Sequence, residues 1–264
     1  MAAETVTSVS TPRSLLDDLR ASIRAERRLV TAEVEAFDAF LGRVESVTPA
    51  RTTPTSTVQG GGYERERSAE GLDAVRSAYE RTVMSCDHYD EEYGDTYPES
   101  VTAEFGPEIG TLLVDGPALQ PHLKRALIER VQTCRDDREH LLDMVAMESQ
   151  SVDAVAAEFR SIRAELPEFA ACPDPDAAGS YGALEAEWRR LGVLADQVGD
   201  LSATRQRAII AQRRRFHLPI DAPDMPVYLY QDLDDEYPLL SSFVGLQKRI
   251  RGRQSERERA LARA

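Results

Sequence analysis

The sequence predicts an all-α protein: an elongated antiparallel helical bundle with coiled-coil-like helices and a flexible linker after the first of them. Three observations carry that prediction. Apolar residues recur at steps of three and four along most of the 264 residues, which is the period of an amphipathic helix. The stripes are interrupted by segments rich in proline, glycine and aspartate, the residues that stop helices and make turns. Val227-Tyr228-Leu229-Tyr230 is the only strand-like run.

Residues 1–11 are small and polar and are expected to be a disordered N-terminus. Thr11-Pro12 then offers a cap followed by proline at a first helical position, with Asp17 and Asp18 near the positive end of the helix dipole. From 12 to 47 one long helix is predicted, its stripe made by Leu16, Leu19, Ile23, Val30, Val34, Phe37, Leu41 and Val44. The stripe is narrow, nearer to a coiled-coil seam than to the broad face of a globular helix. Residues 48–67 combine two prolines, a threonine and serine run and three consecutive glycines, and read as the flexible linker. A phosphate-cradling loop would need a strand before those glycines and a Gly-Lys-Ser/Thr after them, and neither is there.

Residues 68–250 are expected to form the bundle, starting with a helix through Leu72, Val75, Tyr79, Thr82, Cys86, Tyr89 and Tyr93 that stops by Pro98. Two short pieces, 98–105 and 107–114, are separated by Gly106-Pro107. The longest periodic stretch follows, from Leu123, Leu127, Val131, Cys134, Leu141 and Val145 to Val152, Val155, Phe159, Ile162, Leu166 and Phe169. Its phase holds across Ser149-Gln150-Ser151, so it is one helix or two coaxial ones. Cys172-Pro173-Asp174-Pro175 ends it. Leu184, Trp188, Leu191, Ala195, Val198, Leu201, Ile209 and Phe216 outline a fourth long helix. After an acidic, proline-broken stretch, a last helix starts near Pro238 and packs through Leu240, Phe243, Val244, Leu246 and Ile250, leaving 251–264 as a basic C-terminal arm.

Charge sets the expected habitat. The balance of 32 basic against 46 acidic residues gives -14, and only two of the basic residues, Lys124 and Lys248, are lysines. An acidic, lysine-poor, alanine-rich chain is expected of a cytoplasmic protein from a salt-accumulating microbe, soluble through its net charge; an arginine-rich acidic protein from a GC-rich mesophile is the alternative. Its melting temperature is expected to rise between about 0.1 and 2 M KCl as self-repulsion is screened. No stretch approaches the roughly 20 apolar residues of a membrane span, and the N-terminus lacks the basic and apolar regions of a secretory signal. A cytoplasmic location with no membrane partner is therefore expected.

The segment AYERTVMSCDHYDEEYGDTYPESVTAEFGPEIGTLL, from Ala78 to Leu113, together with the Thr204-Arg205-Gln206-Arg207 run, is similar to an uncharacterised haloarchaeal family of helical proteins, a domain of unknown function. The resemblance implies a helical fold and a saline habitat over most of the chain, and carries no activity.

Chemistry-bearing residues are sparse. Asp87, His88, Glu91 and Glu92 have spacings that place His88 beside Glu91 or Glu92 on one helical face, as a metal pair would require. Di-iron bundles use Glu-x-x-His on two helices; the nearest approach here is Asp137-x-x-His140. An acidic, hydrated helix end is the expected structure of that cluster. Cys86, Cys134 and Cys172 lack the paired spacing of a disulfide framework or zinc knuckle, and Cys86 at a periodic apolar position is expected to be core rather than an activated thiol. There is no Gly-x-Ser-x-Gly elbow among the residues. In Ala195 to Ile210, Ala195 and Gly199 have the spacing of a helix-turn-helix turn, but Arg205 stands where an apolar residue should be buried, and a continuous helix fits better. No catalytic, cofactor-binding or metal-binding residue is assigned, and no cofactor.

Charge is also blocked: 85–110 and 217–240 carry acids and no Lys or Arg, whereas 205–215 carries five arginines and no acid. Such runs are expected as solvated faces or as surfaces that neutralise one another within a chain or across an oligomer. The expected function is that of a non-enzymatic helical protein acting through protein partners or self-association. A nucleic-acid-associated regulator using the arginine-rich helices is the alternative.

Overall fold

The computed structural model describes residues 14–50, 63–174 and 180–263, and among them it is all-α, with no strand. The disordered N-terminus expected at 1–11 and most of the linker expected at 48–67 lie outside the described residues. In order, the helices are α1 (Leu15–Ser46), α2 (Tyr63–Glu80), α3 (Tyr89–Glu92), α4 (Tyr97–Phe105), α5 (Pro107–Asp115), α6 (Pro121–Glu165), α7 (Ser180–Arg215), α8 (Met225–Leu229) and α9 (Pro238–Leu261). Single 3-10 turns at Val83–Ser85 and Leu166–Phe169 interrupt or extend them. Contacts divide the chain into two compact units, Glu26–Asp143 and the combination of Met1–Ala25 with Met144–Ala264.

Several expectations are corrected. The cap expected at Thr11-Pro12 lies outside the described residues; at the start of α1 as described, Ser14 Oγ accepts the Asp17 amide at 3.3 Å and donates to its carboxylate at 2.6 Å. α2 begins at Tyr63, so the last five residues assigned to the linker are helical, in keeping with the helix propensity of Glu and Arg. That helix does not reach Tyr93. The Thr82 hydroxyl takes the Ala78 carbonyl at 2.7 Å, while the Thr82 amide tightens onto the Tyr79 carbonyl at 3.1 Å. The chain then leaves α-geometry in a 3-10 turn. The strand-like Val227–Tyr230 run is instead largely helical, in α8. Pro226 in the first turn fixes a helical φ and needs no amide partner there. The long stripe through Ser149-Gln150-Ser151 is one uninterrupted helix, α6.

The unit of 26–143 is built on Phe37, Phe40, Val75, Tyr79, Val101, Leu119, Leu127 and Val131, all but sealed from solvent. Phe40 is fully buried although it fell outside the expected stripe, and its ring meets Tyr79 edge-on at 5.1 Å. Thr96 and Glu99 form a capping box that starts α4. Gly106, at φ +85°, turns the chain directly from α4 into α5. α5 folds back so closely that a Cβ at Gly110 would lie 2.6 Å from the Thr102 hydroxyl. Lys124 caps the C-terminus of α1, donating to the Glu45 and Val47 carbonyls at 2.7 and 2.8 Å.

In the other unit α7 packs along α9, and Phe159 of α6 meets Phe243 of α9 edge-on at 5.1 Å. Two residues past the end of α7, His217 takes a left-handed conformation (φ 51°), and Arg213 braces that turn through the carbonyls of Pro219, Ile220 and Ala222 and an ion pair to Asp224 at 2.7 Å. The basic arm expected at 251–264 continues α9 as far as Leu261. Arg257 is fully buried, pairing with Glu187 at 2.9 Å and donating to the Phe169 and Ala171 carbonyls at 2.7 and 2.6 Å, and Arg253 donates to the Leu166 carbonyl. Trp188, expected on the buried stripe of α7, faces outward at 37% exposure.

Candidate functional site

In the unit of 26–143, the break after α2 turns His88 and the short α3 back against α1, α4 and α6. The side chains there enclose a cavity of about 80 Å³, bordered by Glu33, Cys86, His88, Tyr89, Asp95 and Arg138. Glu33 of α1 is its centre. One carboxylate oxygen accepts from Tyr93 Oη at 2.9 Å and lies 3.2 Å from His88 Nε2; the other accepts from Arg138 Nε at 2.7 Å. Arg138 also forks onto Glu104 of α4, at 2.6 and 3.2 Å, and stacks over the Phe37 ring at 4.2 Å. Arg138 is held well above the ordinary guanidinium range: burial opposes its charge, but the Glu104 hydrogen bond and the charges of Glu104 and Glu33 outweigh it.

The structure therefore brings His88 to Glu33, a residue the sequence did not single out, and not to Glu91 or Glu92. Asp87, Asp90, Glu91 and Glu92 are exposed. Among the described residues, no group of three or more His, Cys, Asp and Glu side chains has the arrangement to hold a metal. A cation at Glu33 would in addition have to displace or adjoin the guanidinium already there.

The thiols bordering this region are not poised as nucleophiles. Burial first, and the Glu33 charge second, push the Cys86 thiol up. Burial and Glu104 push Cys134 up to about 11, and its Sγ donates to the Glu104 carbonyl at 3.3 Å. Tyr93 is raised by burial and by the charge of Glu33. Tyr89 is raised chiefly by burial, with Asp95, Glu104 and Asp90 adding to it and Ser100 opposing. Tyr89 is only 5% exposed and its hydroxyl has no hydrogen-bond partner.

The family model for a domain of unknown function, DUF7260, matches residues 14–254. The chain belongs to this family. No curated protein and no solved structure matches it. The DUF7260 match takes in both helical units, so the cavity at Glu33 and the buried groups of the other unit fall within one family domain.

That second unit holds the most deeply buried charges. Arg205 of α7 and Glu148 of α6 pair at 2.5 and 3.0 Å with exposures of 2% and 0%; Ser151 Oγ accepts from Arg205 at 2.6 Å, and Tyr230 Oη donates to Glu148 at 2.7 Å. Ala195 to Ile210 lies inside the unbroken α7, without the turn of a helix-turn-helix. Sequence reasoning missed Glu33, Glu104, Arg138 and Glu148. The signal was available: each stands three or four residues from apolar members of a stripe, at a position that itself faces the core.

Proposed function

We propose that this DUF7260 protein is a non-enzymatic helical protein of the cytoplasm that works through self-association. The observation that carries this reading is the pair Tyr181 and Trp188 on α7, exposed at 57% and 37%. They are seven residues apart, two helical turns, and so share one side of the helix. Exposed aromatics aligned in this way suit the anchor positions of a protein interface, where Trp and Tyr are enriched.

The chemistry of the interior supports the non-enzymatic part. At the cavity Arg138 is taken up by Glu33 and Glu104, the Cys86 and Cys134 thiols are pushed up and stay protonated near neutral pH, and the Glu148–Arg205 pair is sealed from solvent. The nucleic-acid alternative is weakened, because Arg205, Arg213, Arg253 and Arg257 are consumed by contacts within the chain.

Trp188 is the only tryptophan, so its emission reports directly on this face. Between about 1 μM and about 1 mM, the range of weak to moderate association, sedimentation should show dimers or larger species while the emission shifts to the blue. Trp188→Ala should weaken assembly by about tenfold, the loss of one anchor. A chain that remains monomeric across that range, with unchanged emission, overturns the reading.

A further inference from the structure

We propose that the cavity bordered by Glu33, Tyr89, Asp95 and Arg138 is a binding site for a primary ammonium group. This inference is independent of self-association, since it concerns other residues in the other compact unit. Three observations converge on it. The first is the unpartnered hydroxyl of Tyr89, which is buried at the wall of the cavity. Buried hydroxyls are almost always hydrogen-bonded, and leaving one unpaired is costly. Ser100 Oγ, the neighbouring hydroxyl whose influence on Tyr89 opposes its burial, is bonded to Tyr79 Oη at 2.8 Å and stands outside hydrogen-bonding geometry to Tyr89.

The second is the balance of charge. Glu33, Asp95 and Glu104 face the cavity against the single guanidinium of Arg138, and Glu33 and Glu104 already share that guanidinium. Asp95, half-buried at the cavity, makes no ion pair among the described residues, so its carboxylate is available to an incoming cation. The excess of negative charge near the cavity also helps to disfavour a tyrosinate at Tyr89 and Tyr93, as the contributions of Asp95, Glu104 and Glu33 show.

The third is size and lining. A space of about 80 Å³ is several times the roughly 10–15 Å³ that a single water needs in such a cavity, room for a methylammonium or the tip of an alkylamine. The Tyr89 and Tyr93 rings supply aromatic surface of the kind that attracts cations. An ammonium has N–H donors for the Asp95 carboxylate and the Tyr89 oxygen together; an anion would have to face three carboxylates.

Methylammonium chloride titrated in place of KCl at constant ionic strength, followed by NMR of the tyrosine rings, tests the site. Saturable shifts with a Kd in the millimolar range, about −4 kcal/mol of binding, are expected. Tyr89→Phe and Asp95→Asn should each weaken binding about tenfold. Tetramethylammonium, larger and without N–H donors, should leave the rings unmoved. Comparison with Nα-acetyl-lysine amide separates the sources: tighter binding than methylammonium assigns the site to a lysine side chain, weaker binding to a free amine. Tyr89→Phe removes an unpaired hydroxyl and keeps the ring, so its melting temperature should equal or exceed that of the parent, and loss of binding there is not loss of fold. Linear, unsaturating shifts up to about 100 mM, a concentration far above millimolar affinity, overturn the proposal, as does saturation that survives both substitutions.

Discussion

Each compact unit places an arginine–carboxylate fork among apolar helices, and the two forks differ in how completely they are closed. In the Glu148–Arg205 pair both carboxylate oxygens are bonded to the guanidinium, Tyr230 and Ser151 add further bonds, and neither charged side chain is exposed beyond 2%. In the Glu33–Arg138–Glu104 network the side chains retain 14–22% exposure, a cavity adjoins them, and the Tyr89 hydroxyl stands unpaired. A satisfied buried network fixes which faces of helices meet, because any other register would strand a charge. An unfinished one leaves hydrogen-bonding capacity for something else. The first is structural cement; the second is where a ligand belongs.

The largest expected effect breaks the closed fork. Arg205→Met strands Glu148 at 0% exposure and should cost about 3–5 kcal/mol in urea-induced unfolding. Replacing both partners, Glu148→Leu with Arg205→Met, should recover most of that loss, with Tyr230→Phe added to remove the hydroxyl left without an acceptor. A single substitution that costs less than about 1 kcal/mol would show that water or a neighbouring group rescues Glu148, and that the fork is not closed.

Arg138→Met tests the open fork and should cost less, about 1.5–3 kcal/mol, the worth of hydrogen bonds to charged groups. Glu33 would retain Tyr93 and His88, and partial exposure admits water to Glu104. Equal losses for Arg138→Met and Arg205→Met would remove the distinction between the two networks.

How far these networks were legible in the sequence follows from the same residues. The stripes gave the helices and most of the core, because a buried face needs apolar residues every three or four positions. Glu33 falls between Val30 and Phe37, Arg138 between Cys134 and Leu141, Glu148 between Val145 and Val152, and Arg205 between Leu201 and Ile209. A charge on a core register must be paired or hydrated, so its burial could have been inferred. Its partner could not, since Glu148 and Arg205 lie 57 residues apart and Glu33 and Arg138 lie 105 apart. Periodicity carries no information on which helix faces which. The break at Thr82 was hidden for a related reason: Cys86, Tyr89 and Tyr93 preserve helical spacing although the chain has left the helix, and only the Thr82 hydroxyl bond reveals it. The basic arm misled in the opposite direction, since its composition reads as solvated while Arg257 is buried against carbonyls.

A smaller effect is expected at His88, on the rim of the open network. His88→Ala leaves Glu33 bonded to Arg138 and Tyr93, so its cost in urea unfolding should be about 0.5–1 kcal/mol, that of one ordinary hydrogen bond. A loss as great as that of Arg138→Met would make His88, rather than Arg138, the group that holds Glu33.

The smallest effects separate the units by one carboxylate in each, Glu99 and Glu165. Glu99 and Glu165 are both held below the usual 4.5, and for different reasons. Glu99 accepts hydrogen bonds from the Thr96 hydroxyl and amide in the α4 capping box. Glu165 accepts from the Arg190 guanidinium at 2.5 and 2.6 Å and is lowered further by its charge. A depressed carboxylate stabilises the fold above the unfolded value near 4.5, and that contribution is lost as the pH falls through the lower, folded value. Both contributions should therefore be present at neutral pH and be lost only in acid, α4 fraying in one unit and the link from α6 to α7 loosening in the other. Carboxyl-detected NMR titrations at about 0.1 M and 1 M KCl distinguish them, because the Debye length shrinks from about 10 Å to 3 Å. The Glu165 midpoint should climb toward 4.5 with salt, as its charge–charge contribution is screened. The Glu99 midpoint should move less with salt and return to the ordinary range in Thr96→Ala, which removes the hydroxyl donor. A Glu99 midpoint as salt-sensitive as that of Glu165 would mean that the start of α4 is held by charge rather than by its capping box.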